Sequence, residues 1–256
     1  MVRDKGGNAR GYRGLRKVSV VPALLSRGVR APRRLVDAAL ARRALNQAAE
    51  EARTLDDQID LAFEFSSHGF SIKPMQVRSE LRRLLELLAA SPPRAVLEIG
   101  TAAGGTLFLL TRVAARDARV VSVDLPFGPF GSGYGLSRAF LYRGFPRAEQ
   151  RLTLLRADSR DPATAQRVAG GLEGGGLDFL LIDGDHSYEG VRADWERYRP
   201  LVRPGGVVAL HDIVPGPAGD VGDVPRFWSE LRREHEVEEI VAAPDQRGFG
   251  LGIIRC

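Results

Sequence analysis

The 256-residue chain has one cysteine, Cys256, at its last position, so no disulfide can form within it. That fits a reducing compartment and excludes the small disulfide-stapled scaffolds. Long apolar runs are missing too, and nothing approaches the ~20 residues that a membrane-spanning helix needs. Val18 to Leu25 follows a basic stretch, as a signal segment would. It is short, carries Pro22, and leads into Ser26-Arg27-Gly28 where a small-residue cleavage pattern would stand. The expected location is therefore cytoplasmic, with no transmembrane segment. Acidic residues are scarce from Arg3 through Arg43, where arginine and lysine crowd, and the signs balance only from about Glu50 onward. Such a basic arm could touch nucleic acid, anionic lipid or an acidic partner. The chain lacks an N/D-P-P-Y/F tetrapeptide and any stacked-aromatic RNA-binding motif, which argues against nucleic acid as a substrate.

What is present is ordinary for a globular protein: 44% hydrophobic and 27% charged residues, in a length that suits one α/β domain with an N-terminal extension. Residues 1–31 read as a basic, poorly ordered arm, 32–70 as a helical extension and 71–256 as the main domain. Leu35, Ala38, Ala39, Leu45, Ala48 and Ala49 recur at helical spacing between Pro32 and Glu51. Thr54 can cap a second helix running towards Phe65, and Val77, Leu81, Leu84, Leu85, Leu87 and Leu88 mark a third that ends at Ser91-Pro92-Pro93.

Beyond that point short apolar runs alternate with helical or glycine-rich stretches, the pattern of a parallel sheet covered by helices. The strands expected are 95–99, 120–123, 152–156, 179–182, 206–210, 237–242 and 248–254. The last two leave no room for a helix between them and should form an antiparallel hairpin. Gly170 to Gly176 reads as a surface loop. The stretch from Pro126 to Gln150 carries Phe127, Phe130, Tyr134, Phe140, Tyr142 and Phe145, and reads either as a lid over a site or as a packed helical connection. The fold class is thus α/β: a Rossmann-like, seven-stranded, mostly parallel sheet with an antiparallel last strand and helices on both faces.

Two strand ends carry the first chemical signal. Glu98-Ile99-Gly100-Thr101 leads through Gly104 into a helix beginning near Thr106, and glycines there let the backbone turn tightly and approach a ligand. Ala102 stands where a dinucleotide fingerprint requires glycine, so a pyrophosphate finds a poor cradle. The next strand ends in Asp124, whose carboxylate can bind both hydroxyls of a ribose, and the one after ends near Asp158 and Ser159, which could read an adenine edge. Together these point to a nucleoside-containing cofactor.

A second cluster stands at the ends of the fourth and fifth strands: Asp183, Asp185 and His186, then His211 and Asp212. Carboxylates with imidazole suit Mg²⁺, Mn²⁺ or a heavier divalent ion. His186, with an ordinary pKa of about 6.5, suits a general base, or else only caps the helix at Ser187. Asp185 could orient His186 or cap that helix itself. Gln76 and Glu80 could reach the cofactor or substrate, or lie on a solvated helix face. Trp195 and Tyr198 read as core, His68 and His235 as surface or packing residues, and 216–223 as a shaper of the acceptor pocket.

The strings LEIGTAAGGT, SVDLP, RADSRD and LLIDGDHSYEGVRADWERYRPLVRPGGVVALHDI resemble the class I S-adenosylmethionine-dependent methyltransferases. They are similar in particular to the metal-dependent O-methyltransferase branch that includes catechol and natural-product sugar enzymes, over roughly residues 70 to 256. The resemblance implies S-adenosyl-L-methionine as cofactor. Glu98, Gly100, Thr101 and Gly104 would lie at its methionine end, Asp124 at the ribose, and Asp158 with Ser159 by the adenine. It implies a divalent metal, Mg²⁺ above all, on Asp183, His211 and Asp212, although an acidic residue is commoner at position 211. It makes His186 the base acting beside Asp183 on a small-molecule hydroxyl, that of a sugar or glycosylated natural product. The alternatives are a non-catalytic S-adenosylmethionine-binding module and an RNA-directed methyltransferase. Residues 32–70 are a candidate interface for homo-oligomers.

Overall fold

The computed structural model describes residues 25–126, 134–172 and 174–256. Helix α1 (Leu25–Glu51) begins upstream of the expected start and carries Pro32 inside it. Expectations for the arm up to residue 24, and for Phe127 and Phe130, lie outside the described residues. Helix α2 (Leu55–Glu64) opens on a capping box: the Thr54 hydroxyl accepts from the Asp57 amide, and the Asp57 carboxylate accepts from the Thr54 amide. The expected break at 66–69 is a two-stranded ladder, β1 (Ser66–Ser67) and β2 (Phe70–Ser71), closed by His68 and Gly69 with φ of 48° and 71°. Two left-handed residues in a two-residue loop match the twist of a tight hairpin, and the pair is too short to show periodicity in sequence. Helix α3 (Arg78–Ala90) follows.

The seven-stranded sheet then alternates with helices: β3 (Ala95–Ile99), α4 (Gly105–Val113), β4 (Arg119–Asp124), α5 (Leu136–Tyr142), β5 (Arg151–Arg156), α6 (Pro162–Gly171), β6 (Leu177–Ile182), α7 (Tyr188–Tyr198), β7 (Val202–His211), α8 (Ala218–Val221), α9 (Val224–Glu234), β8 (Val237–Ile240) and β9 (Leu251–Arg255). In space the strands run β5-β4-β3-β6-β7-β9-β8. Strands β3 to β7 are parallel, and β9 enters between β7 and β8 antiparallel to both. Gly170 and Gly171, expected in a loop, close α6. β7 starts earlier than expected, and its pairing with β6 shifts register between Leu177 and Phe179.

Strand alternation builds two cores. Val96, Val120, Phe179, Leu181 and Ala209 face α3 and α4, where Leu81, Leu85, Leu107 and Phe108 pack. Leu97, Val121, Leu180, Ile182, Val208 and Leu210 face α6, α7 and α9 with Val168, Val191, Trp195 and Phe227. Between residues 134 and 150 the chain is a packed connection: Tyr134 and Tyr142 meet edge-to-face at 5.3 Å, and Phe145 meets Phe108 at 5.5 Å. α1 lies against this connection, with the Arg42 guanidinium 4.5 Å over the Phe140 ring. No helix of the described residues is long and apolar enough to cross a membrane.

α9 is locked onto the β8–β9 hairpin by Trp228, whose indole donates to Glu239 Oε1 at 2.6 Å and lies against Gly252. A methyl group at position 252 would stand 2.5 Å from that ring. Gly252→Ala should therefore destabilise the fold by about 1–3 kcal/mol through overpacking, read as a lower urea midpoint with an unchanged m-value.

Candidate active site

At the C-terminal edge of the sheet the chain leaves β3 through Gly100, Ala102 and Gly104, with φ of 85°, 46° and 91°. The sequence suggests that these glycines make room for a ligand, but the room goes to protein neighbours. A Cβ at Gly100 would overlap the Asp183 carbonyl, and one at Gly104 would stand 2.6 Å from the Tyr142 ring. The turn is therefore clamped between β6 and α5. Its amides are partly committed as well: those of Thr101 and Ala102 donate to Asp124 Oδ2 at 3.1 and 3.0 Å. Burial raises the Asp124 pKa against these hydrogen bonds. A pyrophosphate thus finds its would-be donors occupied, whereas the start of α4, which has no side-chain cap, still presents amide groups.

Glu98 is 0% exposed and does not line the cleft. The Thr101 hydroxyl donates to its Oε2 at 2.8 Å and lies 2.6 Å from the Ser122 hydroxyl, while Glu98 Oε1 has no hydrogen-bond partner among the described residues. Burial drives its pKa well above the carboxylate range. Thr101, Gly100, Gly104, Asp124, Asp158 and Ser159 all border one cavity of about 730 Å³. The Asp158 carboxylate is bound by Arg160, which holds its pKa down, and Arg160 also reaches Asp185 Oδ2 at 3.2 Å.

The far end of the same cavity holds Asp183, His186, His211 and Asp212. Ligand atoms of Asp183, His186 and Asp212 lie within 4.8 Å of one another. His211 Nδ1 stands 3.0 Å from Asp183 Oδ1 and 3.1 Å from Asp212 Oδ2. Its Nε2 is buried without a partner among the described residues. Burial pulls the His211 pKa down, but the Asp183 and Asp212 carboxylates override it and lift it to about 10. Burial alone would raise Asp183, yet His211 and His186 hold it well below the usual range.

His186 Nδ1 is 2.6 Å from the Asp220 carbonyl, an acceptor only, so the proton of the neutral ring sits on Nδ1 and the lone pair on Nε2. That Nε2 faces Asp212 Oδ2 at 3.4 Å and Asp183 Oδ1 at 3.7 Å. Burial lowers the His186 pKa, but the Asp183 and Asp212 carboxylates raise it further. The 216–223 segment thus shapes the site through Asp220. Asp185 does not orient His186; it accepts from the Ser187 amide at 2.9 Å, while Ser187 caps α7.

Gln76 belongs to this site more firmly than its sequence context suggests. Its Nε2 donates to Asp183 Oδ2 at 2.5 Å and its Oε1 accepts from the Thr106 hydroxyl at 2.8 Å, tying the carboxylate to the start of α4. Glu80 is buried but turned away from the cleft towards the β8–β9 loop. Phe249 of that loop, which the sequence reading passed over, lines the cavity with its ring centroid 6.2 Å from that of His211.

Asp194 on α7 is fully buried, and neither carboxyl oxygen has a hydrogen-bond partner among the described residues. Burial lifts its pKa to about 7, and the Asp185 and Asp158 carboxylates add to the rise. Because its folded-state value lies above the unfolded one, the contribution of Asp194 to stability is fully present below about pH 4 and is lost as pH rises towards 7. Asp194→Asn has no charge to bury. Its stability relative to wild type should rise by up to about 4 kcal/mol between pH 4 and pH 8, measured by urea denaturation at a series of pH values.

Residues 97–213 match a family model described as a methyltransferase domain. Over 76 residues the chain is 36% identical to the demethylmacrocin O-methyltransferase of Streptomyces fradiae, covering 28% of this chain and 19% of that protein. An uncharacterised protein of Sinorhizobium fredii, y4gI, is 28% identical over 168 residues, 64% of this chain and 18% of its own length. The chain spans about a fifth of the length of these curated relatives. Among solved structures, cofactor-bound Rv0187 from MTB aligns with a TM-score of 0.50 at 24% identity, covering 78% of this chain and 88% of that one, a likeness of fold.

Proposed function

We propose that this chain, a class I S-adenosylmethionine-dependent methyltransferase by family and fold, methylates a hydroxyl of a sugar or glycosylated small molecule with help from a divalent cation. One observation carries the reading: Asp183, His186 and Asp212 share a single cavity with Asp124 and the start of α4. A site that merely bound the cofactor would have no use for two carboxylates and an imidazole gathered at the other end. The name of the Streptomyces fradiae relative supports oxygen as the methyl acceptor.

The α4 amides and the turn at Gly100 would take the amino-acid end of the cofactor, Asp124 the ribose, and Asp158 with Ser159 the adenine edge. Asp124 is suited to this because two amides pin its Oδ2 and so fix its rotamer. When bound, S-adenosylmethionine supplies an electrophilic methyl carbon. The site fits a divalent cation, since the Asp183 and Asp212 carboxylates bring hard oxygen donors within 4.8 Å of each other. Asp183 and Asp212 would hold it with His186 or His211 adjacent, and its chemistry there would be to acidify and orient the acceptor hydroxyl. Gln76 keeps Asp183 in place. His186, its lone pair on Nε2, receives the hydroxyl proton while the Asp220 carbonyl steadies the ring through Nδ1–H.

Calorimetric titration with S-adenosylhomocysteine, in Mg²⁺ and then in EDTA, tests the cofactor end. Binding should appear in both, and Asp124→Ala should weaken it by about tenfold or more, as loss of a charge-assisted hydrogen bond would. The chemical end is read by methyl transfer to a panel of methyl hexopyranosides. His186→Gln should cut kcat by about 100-fold or more, and Asp183→Asn should abolish the metal dependence, both with homocysteine-product binding retained. Absence of S-adenosylhomocysteine binding by the wild type would sink the cofactor assignment.

A further inference from the structure

The loop between β8 and β9 is built in an unusual way. Gly248, Phe249 and Gly250 are three successive left-handed residues, with φ of 81°, 58° and 82°. Glycine occupies that region without cost, but phenylalanine does not. Phe249 does not repay the strain by filling the core, because it is 40% exposed and its ring borders the active-site cavity. A strained backbone that presents a large apolar side chain to a cleft is the pattern of a residue kept for what it touches.

The strain is enforced from α3. Glu80, 1% exposed, accepts from the Ala242 amide at 3.0 Å and from the Gln246 side-chain amide at 2.6 Å through Oε1, and from the Gly250 amide at 3.0 Å through Oε2. Three donors on one buried carboxylate grip both ends of the loop. From the other side the Phe249 carbonyl accepts from the Val214 amide at 3.0 Å, and the Gly248 amide donates to the Pro215 carbonyl at 3.1 Å. Phe249 is thereby fixed to the segment that follows Asp212. Met75, also exposed and also lining the cavity, precedes Gln76 just ahead of the same helix. Gln76, just ahead of α3, thus holds the Asp183 contact, and Glu80 within α3 holds the aromatic wall.

We infer that Phe249 is the platform for the acceptor ring, taking the apolar C–H face of a pyranose, and that Glu80 is the positioning residue that holds it there. The electron-rich face of an aromatic ring attracts the weakly positive C–H edges of a sugar, whose hydroxyls point sideways. With one face covered by Phe249, a ring hydroxyl can reach the Asp183–His186–Asp212 end. This deepens the acceptor assignment above and rests on it.

The test uses the full chain and the same methyl hexopyranosides. Phe249→Gly relieves the strain and removes the ring. Its thermal midpoint should equal or exceed that of wild type, S-adenosylhomocysteine affinity should be unchanged, and the glycoside KM should rise about tenfold with kcat within about threefold. Phe249→Tyr should restore KM. Glu80→Gln should raise KM in the same way and speed hydrogen exchange at the Gly250 and Ala242 amides, with S-adenosylhomocysteine affinity intact. A Phe249→Gly enzyme with wild-type KM overturns the platform while leaving the methyltransferase reading in place. A wild-type enzyme that binds S-adenosylhomocysteine but methylates no glycoside overturns the acceptor assignment and the platform with it.

Discussion

Gly100 and Asp183 meet backbone to backbone, and the site is assembled around that contact. The Asp183 amide donates to the Ile99 carbonyl at 2.8 Å, and the Gly100 amide donates to the Val123 carbonyl at 2.9 Å, so the ends of β6, β3 and β4 are stitched in one row. Any Cβ at position 100 would force β6 away from the turn. The glycine therefore sets how close the acidic cluster after β6 lies to Asp124 at the end of β4. Both ends open into one cavity because of this approach. Gln76 then couples the Asp183 carboxylate to Thr106 at the start of α4, which gives the two halves a second link.

Gathering carboxylates at a sheet edge is costly unless opposite charge accompanies them. Here His211 supplies it: its Nδ1 lies within 3.1 Å of an oxygen on both Asp183 and Asp212. A third acid at position 211 would have added like charge to this pair, so a histidine there changes the electrostatics. Two carboxylates and an imidazolium nearly balance, so the pair can remain ionised in a buried setting. His186 sits on the more open side of the same two oxygens, with its ring anchored by a main-chain carbonyl. His211 is thus the buried counter-charge, and His186 meets the same two carboxylates through Nε2 where they line the cavity.

Much of this was legible in the sequence. Strand ends were readable because parallel strands buried on both faces are short apolar runs, and polar residues just past them, such as Asp124 and Asp183, must lie at the C-terminal edge. The hairpin of β8 and β9 followed from the absence of room for a helix. The residues left undecided are those whose role depends on distant partners. Gln76 and Glu80 were open between a site role and a solvated helix face, because nothing local shows that Gln76 acts across 107 positions on Asp183 or Glu80 across 170 on Gly250. Phe249 looked like one more apolar residue of a strand, and only its backbone angle and exposure set it apart. At the turn glycines a side chain would meet Asp183 and Tyr142, a constraint that sequence alone does not reveal.

Glu98 and Asp183 show how one step in a strand divides the duties of two carboxyl groups. In the paired register Glu98 lies opposite Leu181, inside the sheet, while Asp183 follows Ile182 and has just left it. Alternation turns the Glu98 side chain away from the face that Leu97 and Ile99 fill and into the layer beneath α4, where it is fully buried and Thr101 is its partner. Burial there favours the neutral acid, which can keep a hydrogen bond without burying a charge. Asp183 emerges beside two imidazoles that favour the anion. The same functional group is thereby a buried brace under the Gly100 turn, with its pKa raised, at one position and a carboxylate with its pKa held down beside two imidazoles at the other. Moving either by one residue would exchange a stable turn for a buried, unpaired charge.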